Sequence, residues 1–255
     1  MQDVNLNILN EPEINDAVMI EGLPGIGLVG KLAADHLLDE LKSKKFAEIY
    51  SIFFPPQVII QEDGNVRLVN NEFYHVKING RDIIILTGDF QGITPDSQYK
   101  LSDKIIDVAQ RFNVKTIYTL SGLGTGDIVK IPKVFGAATS EKLIEKLKGY
   151  GVIFKGGGGI FGASGLILGL GKIRGIECAC LMGETHGQII DAKSAESILE
   201  VLTKVLDIKI DMTKLKDKAK MTEKEMAEIS GMITAQKEAL EREQNISDEI
   251  PSYIR

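Results

Sequence analysis

Four short apolar runs constrain this chain most: Ala17 to Ile20, Ile83 to Leu86, Thr116 to Leu120 and Ile176 to Met182. Each is continuous instead of alternating, the pattern of a strand covered on both faces, so they predict central parallel strands. Helical patterns separate them. Leu28 to Leu41 places Leu32, Leu37, Leu38 and Leu41 inward; Asp96 to Phe112 does the same with Leu101, Ile105, Val108 and Phe112. Ser140 to Lys148 is closed by Gly149, and Lys193 to Leu206 carries Ile198, Leu199, Leu202 and Val205. Strands alternating with such helices predict crossover units and a three-layer α/β/α architecture.

Two hairpin signals, Asp63-Gly64-Asn65 and Asn79-Gly80, lie between shorter alternating runs from Val58 to Leu86, which makes the sheet mixed but largely parallel. A strand is expected around Ile49 to Phe54, halted by Pro55-Pro56. After about Ile210 the composition changes. Lys214 to Glu243 holds seven basic and seven acidic side chains, with a capping box at Thr222 to Glu225 and an apolar stripe of Met226, Ile229, Ile233 and Leu240. The expected division is an α/β core over 1–210, a helical extension over 211–246 and a mobile tail over 247–255. The stripe reads equally as a face packed on its own core or as a seam against another subunit.

Charge and cysteine usage narrow the function. Thirty Lys and Arg face 36 Asp and Glu, a net charge of −6, without the basic excess of a nucleic-acid binder. Cys178 and Cys180 are the two cysteines, too close together for a disulfide framework, which predicts reduced thiols in the cytoplasm. Met1 to Asn10 lacks a secretory pattern, and the apolar Gly156 to Gly171 region stops at Lys172 and Arg174, so neither export nor a membrane span is expected.

The segment Gly25-Ile26-Gly27-Leu28-Val29-Gly30-Lys31 has dinucleotide-fold and phosphate-loop spacing together. Both then fail: Leu32 offers no oxygen to magnesium, and Phe53-Phe54-Pro55 stands where a ribose-binding acid is wanted. A tight turn with close helix packing explains these glycines better. Further glycine loops follow at Gly88 to Gly92, Ser121 to Gly126 and Gly156 to Gly165, and the carboxyl ends of the strands would gather them around one crevice. Asp89, Asp127 and Glu184 are the acids near these turns, where carboxylates act more often as caps than as catalysts. Cys178 and Cys180 share one face of their strand, with Glu184 and His186 beyond, but the spacing is narrow for zinc and core thiols fit better. Gly162-Ala163-Ser164-Gly165-Leu166 departs from a nucleophile elbow at Leu166. No catalytic residue, metal site or cofactor is assigned.

Taken in order, Glu21 to Gly30, Thr87 to Gln91, Ser121 to Gly126, Gly162 to Gly169 and Leu181 to Gly187 resemble the proteasome assembly chaperone family, in particular archaeal-type homologues of the second eukaryotic assembly chaperone. The resemblance spans most of residues 15–206. It implies a phosphorylase- or hydrolase-like three-layer fold without catalytic apparatus, a homo-oligomer of four or five copies, and binding to core-proteasome α subunits. It also implies docking by a C-terminal peptide with Tyr next to last; here Tyr253 is third from the end, which moves the ring about 3.3 Å relative to the carboxylate. Tyr253, Ile254 and Arg255 are the expected partner-binding residues. The alternative function is a nucleoside- or phosphometabolite-binding enzyme or sensor built on the glycine loops.

Overall fold

The computed structural model describes residues 3–221. Strands are β1 (Val4–Ile8), β2 (Val18–Glu21), β3 (Lys44–Ser51), β4 (Val58–Ile60), β5 (Val66–Leu68), β6 (Asn71–Ile78), β7 (Arg81–Gly88), β8 (Thr116–Gly124), β9 (Val134–Ala138) and β10 (Glu177–Thr185). Helices are α1 (Val29–Leu41), α2 (Pro95–Arg111), α3 (Glu141–Lys148), α4 (Ala163–Ile173) and α5 (Ala192–Leu206). Eight strands form one sheet in the order β1-β3-β6-β7-β2-β8-β10-β9, while β4 and β5 pair only with each other.

The four continuous apolar runs are the four adjacent parallel strands: β2 pairs with β7 and β8, and β8 with β10, all parallel. Their alternate residues feed two cores. Ile83, Ile85, Tyr118 and Leu181 pack under α1, α3 and α5, whereas Ile84, Leu86, Ile117 and Cys180 pack under α2 and α4. Both faces are therefore dry, which is why these strands need no polar alternation. Antiparallel strands extend the sheet on both sides, through β6 and β3 to β1 and through β9 beyond β10, giving a mixed sheet in a three-layer α/β/α fold.

The helix ends follow their sequence signals. Thr94 caps α2 in a reciprocal capping box with Ser97, and Pro95 occupies the first turn. Ser140 caps α3 by accepting from the Leu143 N–H, and Asp191 caps α5 by accepting from the Ser194 N–H. At the β6–β7 turn, Asn79 and Gly80 both have positive φ (51° and 76°), the geometry a two-residue hairpin requires.

Three expectations need correction. The strand expected around Ile49 to Phe54 lies earlier, as β3 over Lys44–Ser51, because its partners β1 and β6 fix where it ends. The Asp63-Gly64 signal does make a hairpin, but the β4–β5 ribbon stands apart from the main sheet. The glycine run after Gly156 is not all loop: α4 begins at Ala163 and carries Gly165, Gly169 and Gly171 within it. A Cβ at Gly165 would overlap the Ile160 carbonyl, so packing against the preceding loop outweighs weak helix propensity there.

A further helix runs from 213 to the last described residue, 221, with Leu215 and Ala219 buried in the core shared by α1 and α5. The rest of the expected extension, including Thr222 and the Met226 to Leu240 stripe, and the expected contact residues Tyr253, Ile254 and Arg255 lie outside the described residues.

Candidate protein-binding surface at the carboxyl edge

Strand β2 is the point where the chain switches sides. The segment following it, α1, covers one face, and α2, following β7, covers the other. In open α/β sheets the crevice beyond such a switch point is the usual ligand position. Here Glu21 ends β2 and is fully buried. Its Oε1 accepts from the Leu23 N–H at 3.0 Å, and its Oε2 accepts from the Ser164 hydroxyl at 3.1 Å. Burial pushes the Glu21 carboxyl up to about 7, against the smaller downward pull of those two hydrogen bonds. The side chain thus ties the end of β2 to the first turn of α4.

Gln91 joins three elements in the same place. Its Nε2 donates to the Pro24 carbonyl at 2.6 Å, and its Oε1 accepts from the Ala163 N–H at 2.9 Å and from Gln98 Nε2 at 3.1 Å. The sequence marks Gln91 only as the end of the Thr87 to Gln91 motif and gives its side chain no role, because an amide in a loop carries no spacing signature. Asp89, next to it, accepts two hydrogen bonds from Arg67 of β5, at 2.6 and 2.9 Å, and one from the Asn70 N–H at 3.0 Å. Burial raises the Asp89 carboxyl, but Arg67 and the Asn70 amide outweigh it and hold it below its ordinary value. It is a structural clip, as caps and turn formers are.

The residues with nucleotide-loop spacing have other work. Ile26–Leu28 form a tight 3-10 turn with Gly27 at φ 61°. A Cβ at Gly30 would overlap the Leu120 carbonyl, so that glycine lets α1 lie directly on β8. Lys31 Nζ reaches Asp35 at 2.7 Å and Thr87 Oγ1 at 3.1 Å, an ion pair along α1.

The remaining sequence candidates are not assembled into one centre. Cys178 and Cys180 are buried, and burial pushes both thiols up to about 12. Glu184 accepts from the Lys133 N–H, Thr125 Oγ1 accepts from the Asp127 N–H, and His186 Nδ1 is buried without a protein partner. Among the described residues no group of three or more His, Cys, Asp or Glu side chains is arranged to hold a metal ion.

Two contiguous clefts, about 730 and 240 Å³, share Leu123, Gly159, Ile160 and Met182 along this edge. Lys155 and Glu184 line the larger, and Ser164 and Gln91 the smaller. Ile26 and Phe161 of the smaller cleft are exposed, Phe161 by 90%, as are Ile93, Ile128, Ile131 and Ile190 in the loops that follow β7, β8 and β10. At this edge of the α/β/α fold Glu21, Asp89 and Gln91 are thus paired within the protein, and the exposed side chains around them are apolar.

The chain belongs to the PAC2 family, whose model matches residues 19–230. It is similar to PbaB of Pyrococcus furiosus, described as an archaeal proteasome activator: 43% identity, TM-score 0.85, covering 90% of this chain and all of that one. PbaA of the same organism, described as an archaeal homolog of proteasome-assembly chaperone, is 29% identical with a TM-score of 0.76, covering 95% of this chain and 98% of that one. The uncharacterized protein MJ1210 of Methanocaldococcus jannaschii is 41% identical over 208 residues, 81% of this chain and 80% of the relative.

Proposed function

We propose that this chain is a cytoplasmic, non-catalytic proteasome-binding protein of the assembly-chaperone or activator kind, acting as a homo-oligomer on core-proteasome α subunits. The observation that carries the reading is the 43% identity to PbaB across the whole of that chain. The carboxyl edge supports it: Gln91 and Glu21 are occupied in holding loops together, and its exposed side chains include Phe161 and several isoleucines. Among the described residues no helix is long and apolar enough to cross a membrane.

Tyr253, Ile254 and Arg255 are proposed as the docking residues. Two apolar anchors and one charge give a weak single contact, which several copies in one assembly turn into firm binding by raising the effective concentration. Size-exclusion chromatography with light scattering tests this, using the full chain and a truncation lacking residues 247–255 with recombinant α subunits. The full chain should co-elute with α subunits and the truncation should not. Co-elution of both would move the contact away from the tail, and co-elution of neither would reject proteasome binding.

A further inference from the structure

The glycines of this chain divide into those the fold requires and those it does not. At Gly30 and Gly165 a Cβ would overlap a backbone carbonyl, so close packing accounts for them. Gly156 is different. Its φ lies outside the left-handed region, and a Cβ there would meet no protein atom within 4 Å, while a Cβ at Gly159 would make only ordinary contact with the Phe161 ring. Both belong to the run Gly156 to Gly159, which walls the cleft of about 730 Å³ over β8, β9 and β10. Among the described residues the amides of this run donate to no protein acceptor. Backbone left bare at a cavity, with no internal need for it, is open to close approach by a ligand. The cleft also holds two separated charges. Phe135 of β9 pairs with Met182 of β10, and both line its floor. Lys155 Nζ lies 5.1 Å from the Phe135 ring centroid. Glu184 follows Met182 on the same face of β10, about 6–7 Å further along the strand. Among the described residues neither has an ion-pair partner: Lys155 faces the ring, and Glu184 accepts from the Lys133 N–H.

We propose that this cleft binds a small organic phosphate monoester, with the phosphate at Lys155 and the glycine amides and a hydroxyl or amino group of the ligand at Glu184. The ammonium and the bare amides are donors for one anionic group, the combination with which glycine-rich loops cradle phosphate. Glu184 is an acceptor, so the other end of the ligand must donate. Between them Phe135, Met182, Leu123 and Ile160 supply an apolar floor for a carbon skeleton. The volume falls within the range of small-molecule sites, about 300–1,000 Å³. The charges also set what is refused. One lysine balances a single phosphate, and the carboxylate beyond it repels any further one, so di- and triphosphates fit worse than monoesters. The Gly25 to Lys31 turn cannot play this part, because its lysine is claimed by Asp35.

This site goes beyond proteasome binding and does not rest on it; failure of α-subunit capture leaves every outcome below unchanged. Thermal unfolding and isothermal titration calorimetry of the full chain test it with AMP, ribose phosphate and glycerol phosphate, each at about 10 mM, against adenosine, inorganic phosphate and ATP. At least one monoester should raise the melting temperature by about 3 °C. It should bind about tenfold more tightly than inorganic phosphate or ATP. Lys155→Ala should weaken that binding about tenfold, and Gly156→Leu should abolish it by placing a side chain in the cleft. Both variants should keep the melting temperature of the free wild-type protein, because Lys155 is exposed and Gly156 has open space around it. Glu184→Gln should bring ATP closer to the monoester in affinity. No stabilisation by any of the three monoesters overturns the proposal. Equal affinity for inorganic phosphate also overturns it, since the cleft would then hold an anion without an organic ligand. Binding that survives both Lys155→Ala and Gly156→Leu puts the ligand elsewhere and rejects the site.

Discussion

Strand β7 and the β4–β5 ribbon are built from the same residues to opposite ends. Ile83, Ile84 and Ile85 are fully buried, whereas Val58, Ile60, Val66 and Leu68 stand in solvent. The difference lies in what flanks them. β7 is held by β6 on one edge and β2 on the other, with helices over both faces, while the ribbon has one strand per edge and a single covered face. Aliphatic β-branched side chains favour a pleated strand in either place; burial is conferred by neighbours distant in sequence. Apolar content alone thus separates strand from loop but not buried core from exposed surface.

The sharpest way to break the comparison is to truncate both sides equally. Ile85→Ala should destabilise the protein by about 3–4 kcal/mol in urea unfolding, through lost transfer energy and an uncollapsed cavity between sheet and α1. A loss under about 1 kcal/mol would mean that the central strand is not packed as described.

Glu21 gives the next effect, and its sign is fixed by linkage. Its carboxyl is near 7 in the fold against 4.5 as its ordinary value, so between those values the folded state holds more protons than the unfolded state. Stability from this group is fully present below about 4.5, falls as pH rises and is lost above about 7, a change of about 3 kcal/mol. Glu21→Gln keeps an acceptor for the Leu23 N–H and, without titrating, turns to Ser164 an amide N–H that donates to the hydroxyl in place of the oxygen that accepted from it. The wild-type minus variant stability should therefore drop by about that amount from pH 4 to pH 8, measured by urea unfolding at each pH. A flat difference would show that water reaches the carboxylate in the fold.

Ile60→Ala is the smallest change. In dilute protein it should alter unfolding stability by less than about 0.5 kcal/mol, because the side chain is already mostly hydrated. A loss comparable to that at Ile85 would mean that the Ile60 side chain is packed instead of exposed.

Much of the carboxyl edge was legible because loops at strand ends are set by local chemistry. The turns at Gly25 to Gly30 and Gly88 to Gly92 lie where the runs before them end, and Asp191, Thr94 and Ser140 cap the helices that follow. What spacing could not convey is the use of the side chains. Lys31 reads as a phosphate ligand by position, yet Asp35 one helical turn on claims it. Gln91 reads only as the end of a motif, with no role for its side chain, yet it links three elements, since its partners Pro24 and Ala163 are 67 and 72 residues away. β1 and β9 were missed because edge strands are short and their partners, not their own patterns, specify them.

The sequence by itself determined the four parallel strands and the helices α1, α2, α3 and α5, because continuous apolar runs and 3.6-residue periodicity act within a few residues of one another. Tertiary structure decided which glycines form α4 instead of a loop, which face of the ribbon remains bare, and that Glu21 ends β2 in a dry pocket beside Ser164, 143 residues away. Those outcomes depend on desolvation and steric contact between distant segments, and neither exists until the sheet has brought the segments together.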